Sequence, residues 1–211
     1  MKASEKTWGI VLAGGESRRM GQAKERLLLG QETLLQLTSR ILIPLVQEIV
    51  VVAAPDRSDV DLPQRCRLVH DPFPFRGPLA GLVAGLSGVK RQAGDPAWVI
   101  VVPCDHPGMT TPMLKRLWEA RSDDVDAVAI QKDDMCLPLP GIYHTRLLDK
   151  AIELAEVSSH GLKHLLEQSR TRLLSAEDLR KVDPDLLGLQ SVDSPRQWEE
   201  FLRQHPRTSA T

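Results

Sequence analysis

Short apolar runs alternate along this chain with stretches in which apolar positions recur every three or four residues. Residues 8–12 predict a first strand that runs into the loop Ala13-Gly14-Gly15. Residues 33–43 put Leu34, Leu37 and Ile41 on one face, with Leu35 and Leu42 beside it, which is helical spacing. Residues 49–54 form a continuous apolar run rich in valine, as expected of a strand covered on both faces, and 67–70 predict a short strand. Pro78 then opens a helix carrying Leu79, Leu82, Val83 and Leu86. Residues 98–102 predict another buried strand, ended by Pro103. Thr111 and Pro112 predict the cap and first turn of a helix whose inner face holds Met113, Leu114, Leu117 and Trp118.

A strand is expected over 125–130. After Asp134 the pattern loosens. Residues 137–143 contain two prolines, which predicts an edge strand or a bulged one. Helices follow over 147–156 and 162–168. Ser194-Pro195-Arg196-Gln197 reads as a capping-box start for a last helix bearing Trp198, Phe201 and Leu202. From Gln204 onward no periodicity remains, and residues 204–211 are expected to form a mobile tail. The alternation predicts an α/β chain: a three-layer α/β/α sandwich around a mostly parallel, Rossmann-like sheet. No repeat or linker interrupts it, so residues 1–203 read as a single domain.

Composition narrows the function classes. Of the 211 residues, 42% are hydrophobic and 26% charged, an ordinary globular balance. Lys and Arg number 27 against 28 Asp and Glu, which argues against bulk electrostatic binding to nucleic acid or an anionic membrane. The longest apolar runs are strand-sized, and no apolar segment near the N-terminus has the form of a signal peptide. Cytoplasm is the default expectation. Cys66, Cys104 and Cys136 stand singly, without metal-site pairing or a disulfide framework.

The sharpest feature is the stretch Leu12-Ala13-Gly14-Gly15-Glu16-Ser17-Arg18-Arg19-Met20-Gly21-Gln22-Ala23-Lys24, directly after the first strand. Open α/β sheets bind ligands at that carboxyl edge. Its glycines let backbone N–H groups turn towards anionic oxygens, Ser17 adds a hydroxyl, and Arg18, Arg19 and Lys24 supply positive charge. By composition this is a polyphosphate site. Neither common phosphate fingerprint fits, because Gln22 follows Gly21 and the glycine spacing differs. The residues alone leave a second reading, a glycine-rich surface turn with solvated arginines. Asp105, just past the strand over 98–102, is a natural Mg²⁺ ligand, since Mg²⁺ favours one or two carboxylates plus phosphate oxygens. A capping aspartate before Pro107 is the alternative. Cys104 reads as a packing residue and His106 as part of a turn.

The string from Leu12 to Lys24 resembles the N-terminal motif of the nucleotidyltransferases related to molybdenum cofactor guanylyltransferase. Leu12, Ala13, Gly14, Gly15, Ser17, Arg19, Met20, Gly21 and Lys24 all match it. Pro103-Cys104-Asp105 looks like that family's metal-binding segment. Gly77-Pro78-Leu79-Ala80-Gly81 looks like another of its segments, and Asp71 matches a position near the nucleotide. Ala80, Gly81, Ala84 and Gly85 also form a small-residue strip along the helix after Pro78, suited to close packing. Ser191-Val192-Asp193-Ser194-Pro195 aligns with a segment reading Asn-x-Asn-Thr-Pro in many guanylyltransferase relatives, so Asp193 would be a second metal contact. The resemblance is thin between Lys132 and Gly188.

The resemblance implies a fold of the nucleotide-diphospho-sugar transferase type, with residues 7–131 serving the nucleotide and 132–203 the acceptor. It implies Mg²⁺ as cofactor, GTP and molybdopterin as substrates, and molybdopterin guanine dinucleotide as product. Leu12, Ala13, Gly14, Gly15, Ser17, Gly21, Lys24, Asp71, Gly77 and Asp105 would bind the nucleotide, with Asp105 and Asp193 on the metal. Lys24 would stabilise charge on the α-phosphate and Arg19 would hold the departing phosphates. A phosphate nucleophile is already ionised, so no general base is required. Lys132, His160, Lys163 and His164 are candidates for the acceptor's phosphate, although a solvated helix face is the favoured explanation of them. Transient contact with molybdoenzymes or other cofactor-biosynthesis proteins is also expected. For the base, Gly14 argues for guanine, because cytidylyltransferase relatives tend to carry Ala there, narrowing the pocket. Ala53 and Asp193 depart from the guanylyltransferase pattern. CTP, another phosphorylated acceptor, or a degenerate nucleotide-binding regulatory module are the alternatives. The presence of both Lys24 and Asp105 argues against the last.

Overall fold

The computed structural model describes residues 7–14, 23–55, 57, 60–71, 77–94, 97–157 and 161–205. Chain order begins with β1 (Thr7–Leu12), a 3₁₀ turn at Lys24–Arg26, the short pair β2 (Leu28–Leu29) and β3 (Glu32–Thr33), α1 (Leu34–Leu42), β4 (Glu48–Ala53) and β5 (Cys66–His70). Then come α2 (Pro78–Ala93), β6 (Trp98–Pro103), α3 (Thr111–Glu119), β7 (Ala127–Lys132) and β8 (Met135–His144). The chain closes with α4 (Leu148–Glu156), α5 (Leu162–Glu167), β9 (Thr171–Ser175), α6 (Ala176–Leu179) and α7 (Pro195–Gln204).

The central strands are buried on both faces, and their period of two divides their side chains between two cores. Ile10, Val50, Val52, Val99 and Val101 point to the side covered by α2, α4 and α5, where they meet Leu82, Leu86, Ala151 and Leu165. Val11, Ile49, Val51, Ile100 and Val102 point the other way, onto Leu35, Leu42, Met113 and Leu117 of α1 and α3. These are the two outer layers of the α/β/α sandwich. The small-residue strip on α2 has a measurable cause: a Cβ on Gly85 would lie 2.8 Å from Ile10, and one on Gly81 3.1 Å from Leu12. A third, smaller cluster joins Leu27, Leu29 and Leu34 to Val192 and Phe201, so α7 packs beside the segment that follows Lys24.

Among the described residues the main sheet runs β5-β4-β1-β6-β8-β7-β9. All pairings are parallel except those of β8 with β6 and β7. The carboxyl ends of β1, β4, β5, β6 and β7 therefore share one edge of the sheet.

Of the two forms expected for the proline-containing strand, β8 takes the bulged one and lies inside the sheet: its register on β7 shifts between Val128 and Ile130, opposite residues 138–141. The bulge takes up the prolines, which cannot serve a regular ladder. The cap of α3 is Thr110, whose hydroxyl accepts from Met113 N, so Thr111 is already helical. β9, α6 and the β2–β3 pair had no sequence prediction; β9 is largely exposed and lacks the apolar run that marks a central strand.

Candidate active site

Backbone bonds carry the strand ends past their formal limits. Ala13 N donates to Val52 O at 2.8 Å, Asp71 N to Ala53 O at 2.9 Å and Cys104 N to Leu12 O at 3.2 Å. The chain after β1, β5 and β6 is thereby registered against its neighbours, and a cavity of about 450 Å³ opens above them. Its lining includes Asp71, Gly77, Pro78 and Gly81, the charged pair Lys24 and Asp105, and Leu139 of the β8 bulge. Gly77 caps α2 with φ +77°, in the left-handed region that favours glycine. Gly14 is exposed on the wall, and a Cβ there would lie 3.3 Å from Ala54 N and 3.4 Å from Ala53 C. An alanine would therefore press on the backbone at the end of β4, and its effect on the cavity would be indirect.

Lys24 is the centre of the charged cluster. Its ammonium donates to Asp105 Oδ2 at 2.8 Å and to Asp193 Oδ1 at 2.5 Å. Residues far apart in the chain meet here because Val192 N donates to Asp105 O at 2.9 Å. The other oxygen of each carboxylate is also engaged: Asp105 Oδ1 by His106 Nδ1 at 3.0 Å, and Asp193 Oδ2 by Ser191 Oγ at 2.7 Å. Burial by itself would lower the Lys24 pKa, yet the two carboxylates outweigh it and hold the ammonium above its ordinary value. Burial would raise Asp105, but His106 and Lys24 bring it down to about 2. Asp193 is lowered too, with Lys24 and Ser191 overcoming desolvation.

The donor set suits a small, hard cation. Two carboxylates converge on one positively charged point beside a cavity, and an all-oxygen donor pair of this kind is what Mg²⁺ takes alongside substrate oxygens.

The site brings together Leu12, Ala13, Gly14, Lys24, Asp71, Gly77 and Asp105 on one cavity, with Asp193 joined through Lys24. Gly15, Ser17, Arg19, Gly21 and His160 lie outside the described residues. The cavity wall includes neither Lys132 nor Lys163. Lys163 instead lies near enough to Cys136 on β8 to act on its thiol, and His164 pairs with Glu167 of its own helix at 3.7 Å. Cys104 is buried, and burial holds its thiol well above the usual value, as suits a packing residue.

Three side chains escaped the sequence reading. Glu25 is buried on the cavity wall and accepts from Arg57 Nη1 at 2.7 Å, an ion pair between segments that no motif joins. His106 and Ser191 touch the two carboxylates. Their adjacency to Asp105 and Asp193 was the available signal, but adjacency alone does not say which way a side chain turns.

Residues 9–173 match the family described as the MobA-like NTP transferase domain. A probable molybdenum cofactor guanylyltransferase of Bacillus mycoides (strain KBAB4) is 30% identical over 175 residues, spanning 82% of this chain and 85% of that protein. A probable molybdenum cofactor guanylyltransferase of a Geobacillus species is 25% identical over 195 residues, with 92% and 97% covered. Among solved structures, molybdopterin-guanine dinucleotide biosynthesis protein A from Archaeoglobus fulgidus superposes with a TM-score of 0.77 at 20% identity, covering 95% of this chain and 99% of that one. The 4-diphosphocytidyl-2C-methyl-D-erythritol synthase of Anaerococcus prevotii superposes at 0.69 with 12% identity, covering 96% and 99%. At these identities the superpositions establish the fold alone.

Proposed function

The chain belongs to the MobA-like NTP transferase family, and from that premise we propose that it transfers GMP from GTP to the phosphate of molybdopterin, releasing pyrophosphate and forming molybdopterin guanine dinucleotide. Membership makes it a nucleotidyltransferase acting on a phosphorylated small molecule. The observation that carries the reading is Lys24 held between Asp105 and Asp193 beside the 450 Å³ cavity at the carboxyl edge of the sheet.

The reaction needs positioning and charge neutralisation more than covalent help. An oxygen of the acceptor's phosphate attacks the α-phosphorus, a new P–O bond forms, and the bond to the β-phosphate oxygen breaks with its electrons leaving on pyrophosphate. The attacking phosphate is ionised near neutral pH, so no residue has to remove a proton. In this reading Asp71 and Gly77, both on the cavity wall, serve the nucleoside end, and the loop that begins at Gly14 carries the phosphates. Lys24 then offsets charge developing on the α-phosphate, and Arg19 holds the departing pair. Asp105 and Asp193 would hold Mg²⁺, which when bound neutralises the triphosphate. Relatives named as probable molybdenum cofactor guanylyltransferases support guanine as the base and the molybdenum cofactor as the acceptor.

Cytidine remains the second reading, because the Cβ direction at Gly14 weakens any purine preference argued from pocket volume. Competition kinetics decide: with molybdopterin as acceptor, kcat/KM for GTP should exceed that for CTP, ATP and UTP. A CTP value equal to or above that of GTP overturns the base, and no transfer to molybdopterin from any nucleotide overturns the acceptor.

A further inference from the structure

Asp105 and Asp193 share a pattern. Each spends one oxygen on Lys24 and the other on a side chain at most two positions away in sequence: His106 Nδ1 on Asp105 Oδ1 at 3.0 Å, and Ser191 Oγ on Asp193 Oδ2 at 2.7 Å. A carboxylate can only accept, so the His106 ring must carry its proton on Nδ1. The terminal torsion of an aspartate is broad and roughly two-fold. Left alone, each carboxylate would sweep a range of orientations; with one oxygen pinned, the other has a fixed direction.

The two pins sit on braced segments. His106 is largely buried and its carbonyl closes a turn with Met109 N at 3.2 Å. The Ser191–Asp193 segment is tied by Val192 N to Asp105 O at 2.9 Å, and by Asp193 N to Gln197 Oε1 at 2.8 Å on α7. Asp193 has the greater need of a pin, since its side chain is 48% exposed against 23% for Asp105.

We propose that His106 and Ser191 are positioning residues that aim Asp105 Oδ2 and Asp193 Oδ1 at one common cation point. Lys24 occupies that convergence in the present structure; with nucleotide bound its ammonium would turn to the α-phosphate and leave the same pair of oxygens to a divalent cation. Neither side chain needs to touch substrate. This rests on the nucleotidyltransferase reading of the site, and its test is chosen to be separable from it.

The measurement is Mn²⁺ binding followed by electron paramagnetic resonance, with a non-hydrolysable GTP analogue bound to the full chain. Loss of the partner that orients a metal ligand weakens affinity by roughly ten- to a hundredfold. His106→Ala should weaken Mn²⁺ by about tenfold or more, and Ser191→Ala by a comparable or smaller factor. His106→Asn, whose amide nitrogen reaches the place of Nδ1, should restore affinity to near wild type. His106→Gln, which keeps the bulk but puts the donor farther out, should behave like Ala. The Asn–Gln pair retains most of the side chain and carries the test even where His106→Ala folds poorly; Ser191→Thr serves the same purpose on the other segment. Equal Mn²⁺ affinity in the Asn and Gln variants would overturn the proposal, as would wild-type affinity in both alanine variants. If the wild type binds Mn²⁺ with the analogue but transfers nothing to any acceptor, the reaction assignment fails while the positioning result stands.

Discussion

Among the described residues, two charge clusters of opposite sign lie at opposite edges of the sheet. At the carboxyl edge one ammonium lies between two carboxylates. At the amino edge one carboxylate, Asp126, lies between two guanidinium groups. Arg170 Nε and Nη2 donate to its two oxygens at 3.0 and 2.8 Å, and Arg146 Nε reaches Oδ1 at 2.8 Å. The second cluster is a staple. Asp126 precedes β7, Arg170 precedes β9, and Arg146 follows β8 while also donating to Val125 O at 2.8 Å. Both arginine heads remain substantially exposed, so water shares the excess positive charge. Within the Lys24–Asp105–Asp193 cluster the excess is negative, the cation is compact and only 14% exposed, and an open cavity adjoins it. Unbalanced charge at the amino edge is shared with water and serves structure. At the carboxyl edge, beside the cavity, the proposed function gives it a further cation to hold.

That contrast breaks most sharply at Asp105. Asp105→Asn should cut turnover by about 10³-fold or more in a chain still folded at the assay temperature, because the lost charge matters most when the metal–nucleotide complex binds. Asp193→Ala should be milder, since water can replace one ligand of Mg²⁺. Steady-state pyrophosphate release beside thermal unfolding checks both, and a larger loss in Asp193→Ala would invert the ranking of the two carboxylates.

Lys24→Ala comes next. If the lysine acts mainly on charge developing in the transition state, kcat should fall by about 10²–10³-fold with little change in the KM for GTP. A change confined to KM would make Lys24 a binding residue. The variant also leaves Asp105 and Asp193 facing each other without their shared ammonium, so added Mg²⁺ should stabilise it more than it stabilises the wild type.

What could be read in advance follows from how local each signal is. β1, β4 and β6 are unbroken apolar runs and α2 has a regular apolar spacing, so the parallel half of the sheet was legible from pattern. β9 was not, because an exposed edge strand such as Thr171–Ser175 has no apolar signature; it is placed by its parallel pairing to β7. The position of β8 depended on a bulge that absorbs Pro138 and Pro140 in the sheet interior, which is a tertiary outcome. At the site, Lys24 and Asp105 stood out through motif and position. Glu25–Arg57 and the pins from His106 and Ser191 depend on side-chain direction, and the Lys24–Asp193 bond closes across 169 positions of sequence. Lys132 ends β7 and Lys163 lies on α5, neither on the wall of the cavity, and a charge pattern alone does not carry that placement.

At the amino edge the largest expected effect is on stability. Asp126→Asn removes the charge that Arg146 and Arg170 share and weakens the tie between β7 and β9. The exposure of both arginines limits the cost to about 1–3 kcal/mol, or a thermal midpoint lowered by roughly 2–12 °C. Turnover per folded molecule should be unchanged at a temperature where the variant is folded. A turnover loss as large as that of Lys24→Ala would end the distinction between a stapling edge and a reactive one.

The smallest effect sharpens the comparison through pH. His144 ends β8 beside this staple, with its ring edge-on to Trp98 at 5.0 Å and its Nδ1 accepting from Arg146 N at 3.1 Å. Desolvation first, and then the nearby Arg146 charge, depress its pKa to about 4, with Asp126 opposing them. The unfolded chain takes up this proton near the ordinary value of 6.5, whereas the folded chain resists it until about 4. The stabilising contribution is therefore complete above pH 6.5 and is lost as pH falls from 6.5 to 4. Asp105, with its pKa near 2, follows the same sign but gives way lower, below the unfolded value of 3.8, so the two windows are distinct. Asn at position 144 can still accept the Arg146 N–H but has no proton to take up. His144→Asn should be less stable than wild type at pH 7, where the Trp98 contact is lost, yet its urea midpoint should fall less between pH 6.5 and 4. Parallel profiles for the two proteins across that interval would mean that the amino edge loses stability through its carboxylate alone.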